Sequence, residues 1–502
     1  MRQRATMPSD PLQAAPQRAG ATAAFALLAN TAPPGELGEA AVQGAPSAEP
    51  PRGGPPACGE ACVSQGASSQ RAQGLGATAA TMAASQVVLA AVGLVSLPIL
   101  TRQLGPQAYG QFSLFVTLLG VVTYQDVARQ LLIREETVRD SSERELDGLA
   151  RLSLVFITLL ALGVGWIALS PAAALVLALG SALHGLASRD FSALSAAGRA
   201  GFANAARNLA WAGAFAASAA LCFVQTQAWA LGCAFAAANA ALIVTYRRAA
   251  PQRPRASSSG WWNALRTSPR RARFRAAALD LLGFGLASSA IACLDRVMLD
   301  EWVGGEALGV YSGAADVALR LHVVSSALSA ALFPLLAREL VERGYDAAAQ
   351  RFVSIVSRAA PLYFVALAGG MFVAPQALPW LLGESFRASS PLLVALLALL
   401  YVHAFGFFIT PWQRARGDFC TQRRAYVLAV CLMVLVGAFA IPRWGAWGAV
   451  AAFAAARTAE LQLIAIEALR LPRALLPRWK LATAGALFLV LAALGAWRVV
   501  EA

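Results

Sequence analysis

The sequence predicts an all-α polytopic membrane protein, built as two six-helix bundles related by an internal repeat plus one extra C-terminal helix, with roughly 12–14 transmembrane helices. Three observations carry this. Hydrophobic residues make up 58% of the chain, charged residues 14%, and the mean hydropathy is +0.57; a soluble domain carries about 25% charged residues. Apolar segments long enough to span a bilayer follow one another from about residue 78. The stretch LGPQAYGQFS at 104–113 returns as VGGEALGVYS at 303–312. Each copy ends one apolar segment and begins the next, so Gly105 answers to Gly304, Gly110 to Gly309, Phe112 to Tyr311 and Ser113 to Ser312. Such doubling is common among transporters.

The elements follow in order. Residues 1–70 are rich in Ala, Pro, Gly, Ser and Gln without sustained apolar periodicity, which reads as a disordered tail. Thirteen spans are predicted near 78–100, 107–127, 152–170, 172–188, 205–224, 228–246, 277–299, 308–333, 353–374, 389–410, 425–441, 445–467 and 480–499. Residues 78–246 form the N-terminal six-helix bundle, 277–467 the C-terminal one, and 478–500 the additional helix. The third and fourth spans meet tightly at Ser170–Pro171. Arginines concentrate in alternate loops, among them Arg129, Arg134 and Arg139, then Arg414, Arg416, Arg423 and Arg424. Basic loops stay cytoplasmic, so the N-terminus is cytoplasmic and both copies of the repeated segment face outward. Residues 247–276 form a basic cytoplasmic linker whose Trp261 and Trp262 lie near Arg266 and Arg270. It suits either contact with anionic membrane lipids or a solvated connection.

The net charge of +14 does not mark a nucleic-acid binder, because the arginines sit where membrane orientation requires them. Cys58 and Cys62 form a lone C-x3-C without a second ligand pair, so no metal site is implied. No phosphate-binding Gly-x4-Gly-Lys-Ser/Thr loop occurs, and no outer loop carries the His or acidic pairs of a glycan ligase or polymerase. The sequence therefore predicts no enzyme, no catalytic residues and no cofactor.

The stretch LPILTRQLGPQAYGQFSLFVTLLG (97–120), with LDRVMLDEWVGGEALGVYSGAADV (294–317) and ALFPLLARE (331–339), resembles bacterial polysaccharide repeat-unit flippases of the Wzx type. These belong to the multidrug/oligosaccharidyl-lipid/polysaccharide (MOP) exporter superfamily. The resemblance runs from about residue 78 to 467 and implies two bundles around a central cavity opened alternately to each side. It implies a multi-pass protein of the bacterial inner membrane that translocates undecaprenyl-diphosphate-linked oligosaccharide for O-antigen, capsule or exopolysaccharide. A polysaccharide polymerase and glycosyltransferases would be its partners. The alternatives are a cation-coupled drug or metabolite antiporter of the same superfamily and a membrane scaffold for glycosyltransferases.

Such a cargo pairs a polar head and two phosphates with a lipid tail, and burying unpaired charge is costly. Arginine suits the passage because its guanidinium binds phosphate through paired hydrogen bonds. Charges inside the membrane are therefore the candidates. Asp316 and Arg320 stand four apart on span eight in the favourable acid-before-base order. Either they form a neutralised pair holding helices together or they serve cargo and coupling. Asp295 and Arg296 lie near the outer end of span seven, where they either cap the helix or join the charges of span eight. Arg457 lies near the middle of span twelve, one turn from Glu460, and is expected to line the cavity. Arg320, Arg457, Arg296 and His322 are the candidate cargo contacts; Asp295, Asp316 and Glu460 are the candidates for ion coupling. His184, His322 and His403 also fit a packing role. In the first copy Thr117 and Val121 take the places of Asp316 and Arg320.

Overall fold

The computed structural model describes residues 59–124, 143–195, 199–249, 271–416, 418–480 and 483. The chain divides into two units, residues 1–64 and 65–502, and the second is the subject here. Most of the predicted tail, the loop that holds Arg129, Arg134 and Arg139, the centre of the basic linker and nearly all of the extra C-terminal helix lie outside the described residues.

All the described regular structure is helical: α1 (Gly59–Tyr124), α2 (Glu143–Ala168), α3 (Pro171–Leu194), α4 (Ala200–Leu221), α5 (Ala228–Ala249), α6 (Arg271–Trp302), α7 (Gly305–Leu321), α8 (Val323–Leu382), α9 (Ser389–Arg416), α10 (Phe419–Trp444), α11 (Ala446–Ala456) and α12 (Thr458–Arg470), with short 3-10 turns at Glu384–Phe386 and Arg473–Leu475. Backbone groups in hydrocarbon must be satisfied internally, and helices do this within each segment. Helix α1 begins at Gly59, inside the stretch read as tail.

Among the described residues nine helical stretches are long and apolar enough to cross a membrane. Fewer than the thirteen predicted spans appear because the first two run on as one stretch through Gly105 of α1, the fifth and eighth fall short of these limits, and the thirteenth lies almost wholly outside the described residues. Helix α4 carries Arg207, and α7 is only 17 residues long. The Ser170–Pro171 junction is as tight as predicted: Pro171 opens α3, and the Ser170 hydroxyl accepts from the Ala173 amide at 3.4 Å.

Lipid-facing and protein-facing surfaces are sharply divided. Large apolar side chains such as Ile167, Phe372 and Leu469 are more than four-fifths exposed, which in a membrane chain marks contact with acyl chains. Helix α9 is the opposite case, with 83% of its apolar window buried. It packs against α7, α8 and α12 and forms the axis of the C-terminal helices.

The repeat reappears in the backbone. Gly105 (φ 67°) and Gly304 (φ 113°) both adopt the left-handed region that favours glycine, so each copy turns the chain between two helices at the same place. The copies then touch. A Cβ on Gly110 would meet the Gly309 backbone nitrogen at 2.8 Å, and one on Gly309 would overlap the carbonyl of Pro106. Close approach of two backbones is what these paired glycines permit.

Candidate functional site

Three helices bring their polar residues together just beyond the glycine contact. Helix α1 supplies Tyr109, Ser113 and Thr117, one turn apart on one face. Helix α6 supplies Asp295 and Arg296, and α7 supplies Tyr311, Asp316 and Arg320. The Arg296 guanidinium is 2% exposed. Its Nη1 donates to Ser113 Oγ at 2.5 Å and Thr117 Oγ1 at 2.7 Å, and its Nη2 donates to Asp316 Oδ1 at 2.8 Å. The other Asp316 oxygen accepts from the Tyr109 hydroxyl at 2.5 Å and from Ser113 at 2.7 Å. Asp295 accepts from the Tyr311 hydroxyl and, at 2.8 Å, from the Arg296 backbone amide. Neither Asp295 nor Arg296 caps the end of α6; both are buried, a turn or more before Trp302.

Of the two alternatives for Asp316 and Arg320, the ion pair between them is not present among the described residues. Asp316 pairs with Arg296, which reaches it from the neighbouring helix, and this leaves Arg320 free to extend towards the N-terminal helices. Its Cζ lies 4.3 Å from the centroid of the Phe215 ring on α4, and its guanidinium passes Gly93 of α1, where a Cβ would come within 2.6 Å of Cζ. Among the described residues no carboxylate lies within ion-pair distance of Arg320. Tyr109, Ser113, Thr117, Phe215, Asp316 and Arg320 are among the residues that line a small cavity of about 40 Å³, room for a few waters, between the two sets of helices. The cavity wall thus offers Asp316, neutralised by Arg296, and a guanidinium that lies over an aromatic face within electrostatic reach of Asp316.

A second polar cluster lies on the C-terminal helices. The chain breaks at His322, between α7 and α8, and again at Arg457, between α11 and α12. Arg457 Nη1 donates to Glu460 Oε1 at 3.1 Å and also touches His403 Nδ1. That same Nδ1 lies 2.9 Å from Glu460 Oε1. The His403 ring stacks on His322 with centroids 4.9 Å apart and planes at 21°, and His322 Nδ1 in turn contacts Ser325 at 2.7 Å and Tyr363 at 3.3 Å. Arg457 is 2% exposed and is not among the residues lining the cavity. Glu460 neutralises it one turn away. His322 is likewise drawn into this cluster, not the cavity wall.

Of the predicted residues, the structure unites Asp295, Arg296, Asp316 and Arg320 in one place and His322, Arg457 and Glu460 in another. Sequence reasoning missed the α1 partners and Phe215. Ser113 lay inside the repeated segment, but only Thr117, as the counterpart of Asp316, carried a positional signal. It also missed Glu467, fully buried on α12, which accepts from Trp412 at 2.9 Å, Gln413 at 3.0 Å and Arg416 at 2.5 Å and ties α12 to the end of α9.

No protein-family model matches this sequence, and no curated protein matches it. Solved structures do. The lipid II flippase MurJ, in an inward closed conformation, matches with a TM-score of 0.62 and 10% identity over 82% of this chain and 92% of its own. A mutant of the Vibrio cholerae MATE transporter VcmN matches with a TM-score of 0.56 and 14% identity, covering 80% of this chain and 98% of that one. The MATE multidrug transporter DinF-BH matches with a TM-score of 0.56 and 12% identity, over 80% and 96%. These neighbours are transporters and a flippase, not enzymes. At such identities the likeness is one of fold, and the chain is a multi-pass membrane protein with the fold of the MOP exporters.

Proposed function

We propose that this chain is a flippase of the bacterial inner membrane that moves lipid-linked, diphosphate-bearing oligosaccharide repeat units across the bilayer for surface polysaccharide synthesis. The observation that carries this reading is Arg320: a guanidinium without a carboxylate partner, on the wall of a cavity between the two sets of helices. A guanidinium held in low dielectric is poised for an incoming phosphate, because it has donors to spare and no acid to surrender. Arg296 stands behind it and takes part through Asp316. The two bundles are residues 78–246 and 277–467, and the distribution of arginines among the loops places the N-terminus in the cytoplasm. The glycine-to-glycine contact is then the closed outer end, and the cavity is reached from the cytoplasmic side. The lipid tail stays in the bilayer while the head group crosses in the cavity. A polymerase and glycosyltransferases act beside it.

The competing reading is a cation-coupled drug antiporter. It is favoured by Asp316 on the same wall and by the likeness to MATE transporters. The two diverge on charge: a cationic drug needs Asp316 and is repelled by Arg320, whereas a diphosphate needs Arg320. In a strain deleted for this gene, undecaprenyl-linked glycan accumulates on the inner leaflet and surface polysaccharide is lost. Arg320→Gln fails to restore export, and Arg320→Lys restores it in part, since an ammonium keeps the charge without the fork. Normal surface polysaccharide in the deletion strain overturns the flippase reading and leaves the antiporter, whereas full restoration by Arg320→Gln removes Arg320 from the passage.

A further inference from the structure

The His403 cluster holds a contradiction that one proton resolves. A ring nitrogen either carries a hydrogen and donates or bears a lone pair and accepts. His403 Nδ1 faces Arg457 Nη1, which only donates, and Glu460 Oε1, which as a carboxylate only accepts. The two contacts therefore belong to two protonation states. In the neutral ring a bare Nδ1 accepts from Arg457. After a proton is taken from water the imidazolium donates through Nδ1 to Glu460, and the Arg457 contact is lost.

We propose that His403 is a proton-binding site, separate from the Arg320 cavity, at which the imidazole exchanges Arg457 for Glu460 as it gains a proton. Three features make the exchange consequential. The cluster is under-satisfied as it stands, with Arg457 Nη2 and Glu460 Oε2 both buried without partners, so a rearrangement has donors and acceptors waiting. His403 keeps 18% of its side chain exposed although Glu460 is fully buried, which gives a proton a way in. Arg457 itself forms the break between α11 and α12, and His322 the break between α7 and α8, so a change of partner acts on two hinges at once.

The charged and titratable groups around the ring set the limits. His322 stacks on His403 and opposes a second proton beside the first, so the pair takes one. Tyr363 of α8 holds His322, and Tyr426 of α10 stands beside Glu460. Arg457 lies within electrostatic reach of Asp295 and Tyr311. Asp295 adjoins Arg296, and Arg296 holds Asp316 on the cavity wall. Protonation of His403 is therefore felt at the cavity through Arg457. That this drives cargo movement rests on the flippase reading; that His403 binds a proton does not.

The chain has three histidines, so full-length protein in lipid nanodiscs, labelled with nitrogen-15 histidine, gives three resolvable ring systems by solid-state NMR. His403→Gln and His322→Gln assign them. Between about pH 8 and about pH 5, the interval in which histidine ordinarily titrates, His403 alone passes from a neutral ring with a bare Nδ1 to an imidazolium. In Glu460→Gln this conversion is lost from the interval. A His403 that stays neutral throughout, that converts equally well in Glu460→Gln, or whose neutral form carries its hydrogen on Nδ1 overturns the proposal. If Glu460→Gln does not fold, the conversion and the neutral tautomer in the unmodified chain still decide. No cargo enters this measurement, so its failure and the failure of glycan export in the deletion strain are separate results.

Discussion

Removing one hydroxyl should loosen the contact between the two copies of the repeated segment. Ser113 is buried at 2% exposure and makes two bonds that cross between the N-terminal and C-terminal helices: it accepts from Arg296 at 2.5 Å and donates to Asp316 at 2.7 Å. Both partners are charged, and a hydrogen bond to a charged group contributes about 1.5–3 kcal/mol. When the ends part, the charged groups regain water, so the lower figure applies to each bond. Two bonds then give about 3 kcal/mol, or about a hundredfold in the ratio of closed to open forms. Ser113→Ala removes only an oxygen and leaves the packing of α1 intact. Its internal control is Ser312, the matching residue of the other copy, whose hydroxyl is buried without a partner; Ser312→Ala should leave the ratio unchanged. The assay is the distance distribution between spin labels at Gln103 and Glu306, both exposed beside the paired glycines, in a cysteine-depleted background. Ser113→Ala should add a long-distance population, and Ser312→Ala should not. The same distribution in both variants would refute the view that these bonds hold the ends together.

Other consequences follow from particular contacts. Gly309→Ala places a Cβ on the backbone of Pro106, whereas Gly120 has nothing within 4 Å of the equivalent position; the first substitution should separate the same spin labels and abolish export, and the second should do neither. Glu467→Ala leaves Arg416, 13% exposed, without its carboxylate, and breaking a buried pair this way costs about 3–5 kcal/mol; thermal unfolding in detergent should show a clear loss of stability. Asp418, between α9 and α10, caps α10 by accepting from the Thr421 amide at 3.3 Å and also accepts from Arg470. Burial opposes its ionisation, but these hydrogen bonds outweigh burial and hold the carboxyl below its ordinary range. A depressed folded value means the contribution is complete above the unfolded value of about 4 and fades as pH falls through the folded one. Asp418→Asn should therefore melt below the unmodified chain near neutrality, and the gap should narrow as pH falls below about 4; a gap that narrows already between about pH 7 and about pH 5 would contradict this.

How much of this was legible depended on whether the signal was local. Composition and span length are sums over many residues, and they gave the fold class. The repeat was legible because a positive φ and a close backbone approach both demand glycine, so Gly105, Gly110, Gly304 and Gly309 had to be written into the sequence. The Asp316–Arg320 spacing misled because an i, i+4 rule describes an isolated helix, and here Arg296 competes from the neighbouring helix with better geometry. Arg457 was legible from its mid-membrane position, and the acid one turn along, Glu460, accounts for its burial. Glu467 carried a signal that went unused. It lies seven residues after Glu460, on the same face of α12, and an acid in an apolar span must find donors.

The divergence of the two copies has a physical consequence. All four charges of the first cluster, Asp295, Arg296, Asp316 and Arg320, belong to α6 and α7, while α1 contributes only the hydroxyls of Tyr109, Ser113 and Thr117. Had the copies kept a charge each, the closed end would be held by an ion pair spanning the two sets of helices. Opening would then separate buried opposite charges, at several kcal/mol for each ion left unpaired. With Thr117 where its counterpart is Asp316, the Arg296–Asp316 pair, at 2.8 Å, stays whole on one side when the ends part. Only hydroxyl-to-charge bonds are exchanged for water, each a small free-energy change. The interface is thus specific enough to close in one register and weak enough to open on the differential affinity of a single bound ligand. Keeping the charges together also lets Arg320 reach across to Phe215 with no carboxylate within ion-pair distance among the described residues, so its withdrawal breaks no ion pair.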